Sequence, residues 1–142
     1  MTASSTQDEM SGEEWQLKIA NKLKISAEHV AAIYHKEGDS LLRVTLDIAV
    51  LPKNKQTATQ DIAQLLAAGR VAAGFDETST SADIIRSEAE YYGRLDANNF
   101  SRALRSLKPN FYYDGKEKTL TPRMPGFADA AEVAKKYFGQ EE

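Results

Sequence analysis

The sequence predicts a mainly helical α+β fold: a helical N-terminal half with one strand, then a second helical half that carries a small β-hairpin. Three observations predict it. Apolar residues recur at helical spacing in six separate segments, LLRVTLDIAV (residues 41–50) is β-branched and partly alternating, and Asp114-Gly115 stands between two short strand-like runs. With 142 residues, 42% apolar and 27% charged, the chain suffices for one domain or two very small ones and can bury a core.

Residues 1–12, MTASSTQDEMSG, are small and polar without periodicity and read as a disordered tail. A first helix is predicted over Glu13–Leu23, with Trp15, Ile19, Ala20 and Leu23 on one face. Ser26 stands where an N-cap belongs, since its hydroxyl can accept a hydrogen bond from a free first-turn amide. The helix it opens carries Val30, Ile33 and Tyr34 and stops before Gly38. Leu41–Val50 reads as a strand ended by Pro52. Thr57 and Gln60 have the spacing of a capping box for a helix over residues 57–73, whose stripe is Ile62, Leu65, Leu66, Gly69, Ala72 and Ala73. A glycine inside a helix costs about 1 kcal/mol relative to alanine, so Gly69 implies close approach of another helix, in this chain or in a second copy. The same stripe is the candidate homodimer interface, through helix 57–73. Gly74 suits a left-handed C-cap.

Asp76–Thr80 reads as a turn or short linker, which divides the chain into residues 13–75 and 76–142. Ser81 or Thr80 caps the next helix, with Asp83 in its first turn and Gly93 at its end. Asp96 is placed to cap a helix through Leu107, stopped by Pro109. Phe111-Tyr112-Tyr113 and Lys118-Thr119-Leu120 are the arms of the hairpin, and Phe127–Phe138 forms a last helix.

Charge is uneven along the chain. The total is −3, but residues 98–123 hold Arg102, Arg105, Lys108, Lys116, Lys118 and Arg123 against Asp114 and Glu117. That basic island lies in an otherwise acidic chain, and it is either a phosphate-facing surface or an ordinary solvated face. On the helix that starts near Ala97, about 100° per residue places Phe100, Ala103, Leu104 and Leu107 on one side. Asn98, Arg102 and Arg105 then project from the opposite side, flanked by Ser101 and Ser106. Asn and Arg are the side chains that make two-pronged contacts to adenine and guanine edges.

The order helix, tight turn, helix, β-hairpin, helix over residues 80–138 resembles a winged helix. That resemblance implies a second helix lying in the major groove of DNA and a hairpin, the wing, touching the backbone beside it. The implied nucleic-acid-binding residues are Asn98, Ser101, Arg102, Arg105 and Lys108 on the helix, with Lys116, Lys118 and Arg123 on the wing. Tyr112 or Tyr113 exposed on the wing would add a platform for an unpaired base. A second segment, IANKLKISAEHVAAIY (19–34), resembles the helix-turn-helix of small bacterial repressors, with Ala20 and Val30 at the crossing. Lys24 occupies the usual glycine position at its turn, where a left-handed backbone costs about 1–2 kcal/mol without glycine. Its groove-facing positions Ala27, Glu28 and Ala31 include no cation, so this pair reads as structural.

No pattern supports catalysis, a metal or a cofactor. His29 and His35 are six apart and do not share a helix face, and no glycine-rich phosphate loop occurs. The absence of cysteine excludes disulfides and thiolate zinc sites and fits a reducing compartment. The longest apolar runs, Val30–Tyr34 and Leu65–Gly69, fall far short of the ~20 residues of a membrane span, so a cytoplasmic protein without a membrane partner is expected. The functional expectation is a DNA-binding transcriptional or mobile-element regulator acting on double-stranded DNA. The alternative is a non-catalytic protein-interaction adaptor, or a subunit of a larger complex, built on the same fold.

Overall fold

The computed structural model describes residues 13–38 and 41–137. The tail expected over 1–12, and Phe138 at the end of the last helix, lie outside the described residues. The elements run α1 (Glu14–Leu23), α2 (Ala27–Ile33), β1 (Tyr34–Glu37), β2 (Leu41–Val44), α3 (Lys55–Ala73) and β3 (Thr80–Ser81). They continue with α4 (Ala82–Tyr91), a 3-10 turn at Ala97–Asn99, α5 (Phe100–Arg105), β4 (Phe111–Asp114), β5 (Thr119–Pro122) and α6 (Met124–Tyr137).

The first helix pair forms as its sequence dictates. Glu13 and Gln16 close a reciprocal capping box on α1, and Ser26 accepts a hydrogen bond from the His29 amide at the start of α2. Between them Lys24 does take the left-handed conformation, with φ 61° and ψ 45°. Ala20 and Val30 are buried, along with Ile19 and Leu23 on the same face of α1.

The second helix stops at Ile33, earlier than its periodicity implies, because Tyr34–Glu37 pairs antiparallel with β2 in the register Tyr34↔Val44. The strand expected over Leu41–Val50 is correspondingly short. Asp47 ends it by taking the Ala49 amide on its own carboxylate, and Leu46 and Leu51 reach the core from irregular backbone.

Helix α3 starts two residues before the predicted position. Asn54 is its N-cap, accepting from the Thr57 amide at 2.9 Å, so the expected Thr57–Gln60 capping box does not form. Gln60 instead donates to the Ala103 carbonyl on α5. This helix is the axis of the fold and packs against α1, α4, α5, α6, β2 and β5. Its stripe of Ile62, Leu65, Leu66, Gly69 and Ala73 is buried within the chain, so none of these five is left open for a second copy. The close approach inferred for Gly69 is made by a side chain: a β-carbon there would fall 2.5 Å from the Tyr34 ring. One continuous cluster of buried apolar side chains extends from Trp15 to Ala134, across the 75/76 boundary that composition drew.

After α3, Gly74 adopts φ 91° and ends the helix. Arg70, buried in the last turn, holds Asp76 through Nε at 2.7 Å, and the Thr80 hydroxyl donates to the same carboxylate at 2.8 Å. This cluster delivers the chain into β3, a two-residue strand that sequence patterning does not foretell. Strand β3 pairs antiparallel with β5, giving the sheet order β3-β5-β4. The hairpin register is Asp114↔Thr119, and the Asp114 carboxylate accepts the amides of Lys116 and Glu117 to close its turn. Ser81 caps α4 as predicted, through the Asp83 amide. Asp96 accepts from the Asn99 side chain and does not cap α5, whose regular part is only Phe100–Arg105. At the far end, Asp61 of α3 receives Lys136 Nζ at 2.7 Å and the Tyr137 hydroxyl at 2.8 Å, which fastens α6 to the axis.

Candidate nucleic-acid interface

The helix-spacing argument for α5 holds at the level of burial. Phe100, Ala103 and Leu104 are buried and Leu107 is half-buried, while Asn98, Arg102, Arg105 and Ser106 are exposed and Ser101 is half-buried. Three apolar anchors on six residues fix the rotation of this short helix, so its arginines have no route inward.

Strand alternation does the same for the hairpin. Phe111, Tyr113, Leu120 and Pro122 face the core, and Tyr112 and Thr121, paired across the strands, face away. Of the two tyrosines considered for stacking, Tyr112 is the outward one, 49% exposed, and Tyr113 is buried. Lys116 and Lys118 lie in the exposed turn, Lys118 with φ 59°, and Lys108 and Arg123 are exposed at the hairpin's base.

Helix and hairpin are in direct contact through Arg105. Its guanidinium lies over the Tyr113 ring, 5.4 Å from the centroid, and a β-carbon on Gly115 would meet Arg105 Nη2 at 2.8 Å. On the outward face Arg123 lies over Tyr112 at 5.7 Å. The ring faces orient these two long side chains without neutralising them. Among the described residues, none of Arg102, Arg105, Lys108, Lys116, Lys118 and Arg123 has a carboxylate within ion-pair distance. Arg43, Arg70 and Lys136 elsewhere are paired, with Glu88, Asp76 and Asp61. Six unneutralised cations repel one another, and an anionic partner that neutralises them relieves that cost.

Other chemistry finds no constellation. His29 is buried with Nε2 3.3 Å from the Ala134 carbonyl, whereas His35 sits between Thr45 and Glu37. Among the described residues no group of three or more His, Asp or Glu side chains is placed to hold a metal ion. No described helix is long and apolar enough to cross a membrane. The helix-turn-helix-like corner of α1 and α2 presents Ala31 and Glu28 outward and Ala27 half-buried, with no cation among them.

A concavity of ≈460 Å³ lies between β2 and α4 and is lined by Leu41, Ile84 and Tyr91. The buried Glu88 at its base accepts from Arg43 Nε at 3.0 Å and from the Val44 amide. Burial pulls the Arg43 pKa down, and the hydrogen bond and charge of Glu88 outweigh it, so the guanidinium is held above its ordinary value. Comparison with protein families, curated proteins and solved structures gives no match.

Proposed function

We propose that the chain is a winged-helix DNA-binding protein that grips duplex DNA with α5 and the β4–β5 hairpin, in a regulatory role. The observation that carries this reading is the meeting of helix and hairpin at Arg105, with six cations along these two elements that have no acidic partner among the described residues. Further support comes from β3, which ties the hairpin to the start of α4 and so fixes the wing relative to the helix pair. In this reading Asn98, Ser101, Arg102 and Arg105 approach base edges and the phosphates next to them. Lys108, Lys116, Lys118 and Arg123 contact backbone phosphates.

The test is anisotropy of a fluorescent random-sequence duplex titrated with the wild type and with the double variant R102E/R105E. The reading predicts saturable binding that the double variant loses at least tenfold, with thermal stability kept within about 1 kcal/mol, as exposed sites behave. Equal binding by both proteins would overturn it.

The adaptor reading is favoured by one observation, the β2–α4 concavity, where Tyr91 is 67% exposed. Absence of duplex binding at low salt would move the function there.

A further inference from the structure

The cationic surface does not end at the hairpin. Lys22, in the last turn of α1, sets its ammonium over the Phe127 ring of α6 at 4.9 Å. That pair separates two adjoining hollows. One, ≈380 Å³, is lined by Lys22 and Phe127 with Thr121, Pro122, Val71 and Glu77; the other, ≈390 Å³, is lined by Lys22 and Phe127 with Lys24, Asn21 and Met124. Thr121 is the outward partner of Tyr112, and Arg123 lies over Tyr112, so Lys22 borders the same outward hairpin face as Arg123. Arg105 reaches the hairpin from the β4 side, against Tyr113 and Gly115, and Lys22 lines a hollow on the β5 side together with Thr121 and Pro122.

We infer that Lys22 and Lys24 form a second group of phosphate contacts, so that one duplex backbone is held on both sides of the hairpin. The inference rests on the DNA-binding reading above and extends it to a part of the chain whose own sequence offers no groove-reading cation. Four observations carry it. Lys22 and Lys24 are exposed, and among the described residues neither has a carboxylate within ion-pair distance. Phe127 holds the Lys22 ammonium over its ring, so less side-chain freedom remains to be lost on binding. Lys24 keeps a left-handed backbone at the apex of the α1–α2 corner, a conformation in which glycine would be less strained. The two hollows share Lys22 and Phe127 and reach from Thr121 and Pro122 of β5 to Asn21 and Lys24 at the corner, so hairpin base and corner adjoin. Among the described residues Glu77 is the one acidic side chain lining either hollow, and it opposes an approaching phosphate.

The experiment measures the salt dependence of duplex binding for wild type, K22Q, K24G and R102E/R105E. Each neutralised phosphate contributes about 0.9 to the slope of log affinity against log salt. K22Q and K24G are each expected to flatten the slope by ~0.9. K24G also relieves the left-handed backbone, so a flattened slope together with an unchanged or higher melting temperature excludes unfolding as its cause. Unchanged slopes for K22Q and K24G, beside weakened binding by R102E/R105E, would overturn this inference and leave the DNA-binding reading standing. No binding by the wild type would overturn both.

Discussion

Tyr34 and Gly69 constrain each other closely. The tyrosine ring occupies the space where a Gly69 β-carbon would be, and its hydroxyl donates to the Leu65 carbonyl at 2.6 Å. Alanine at Gly69 gains about 1 kcal/mol of helix propensity, but it must displace a fully buried ring packed against the axis helix. Overpacking of this kind costs about 1–3 kcal/mol or more, so G69A is expected to be net destabilising in chemical denaturation, and a stabilised G69A would refute the contact. Burial also raises the Tyr34 pKa far above its ordinary value of 10.0. The folded chain therefore keeps this proton where the unfolded chain releases it, and the stability it confers is intact below pH ~10 and lost as pH rises further. Tyr137 and Tyr92 are raised in the same direction, by burial first. Stability measured from pH 8 to 12 is thus expected to fall beyond pH ~10, and Y34F to fall less steeply. Matching profiles for Y34F and wild type would remove Tyr34 from this account.

At the scale of elements, α5 is the piece whose orientation the proposed function depends on. Phe100, Ala103 and Leu104 seat it, and Gln60 of α3 bonds the Ala103 carbonyl. L104A should therefore cost about 2–5 kcal/mol as a core truncation, and a loss near zero would mean the helix is not seated as described. The exposed face of α5 was legible in the sequence because three apolar side chains on six residues leave one rotation. The hairpin was legible from Asp114-Gly115 for a similar local reason: Asp114 closes the turn with its own carboxylate. What escaped the sequence was set by partners distant along the chain. Tyr34 continues a helical pattern, yet β2, ten residues on, and the space over Gly69 draw it into a strand. Thr57 and Gln60 have capping-box spacing, but Asn54 caps first and Gln60 is taken by Ala103. Strand β3 is two residues long and exists because β5 lies beside it. Lys22 gained its place in the surface only through Phe127, more than a hundred residues away in sequence.

Over the whole molecule, one helix organises everything else. Since α3 touches elements on both sides of residue 75, the two sequence halves should not unfold independently. Emission from the single tryptophan, Trp15 in α1, and far-ultraviolet circular dichroism are expected to give coincident urea transitions; separated midpoints would show two units. The same architecture places opposite requirements on charge. Three ion pairs each hold a buried group: Arg43 with Glu88, Arg70 with Asp76 and Lys136 with Asp61. The cations of residues 98–123 have no such partner among the described residues, in a chain whose total charge is −3. Glu88, Arg70 and Asp61 are neutralised where they are buried, while the six cations along α5 and the hairpin stand without an acidic partner among the described residues.

The most direct test of that account is the affinity of the wild-type protein for a random-sequence duplex, measured across a salt series. Binding whose logarithm falls linearly with log salt, with a slope of about −4 to −6, would correspond to roughly four to seven phosphates held by these cations and is the predicted result. No binding at the lowest salt, or binding indifferent to salt, would contradict the account.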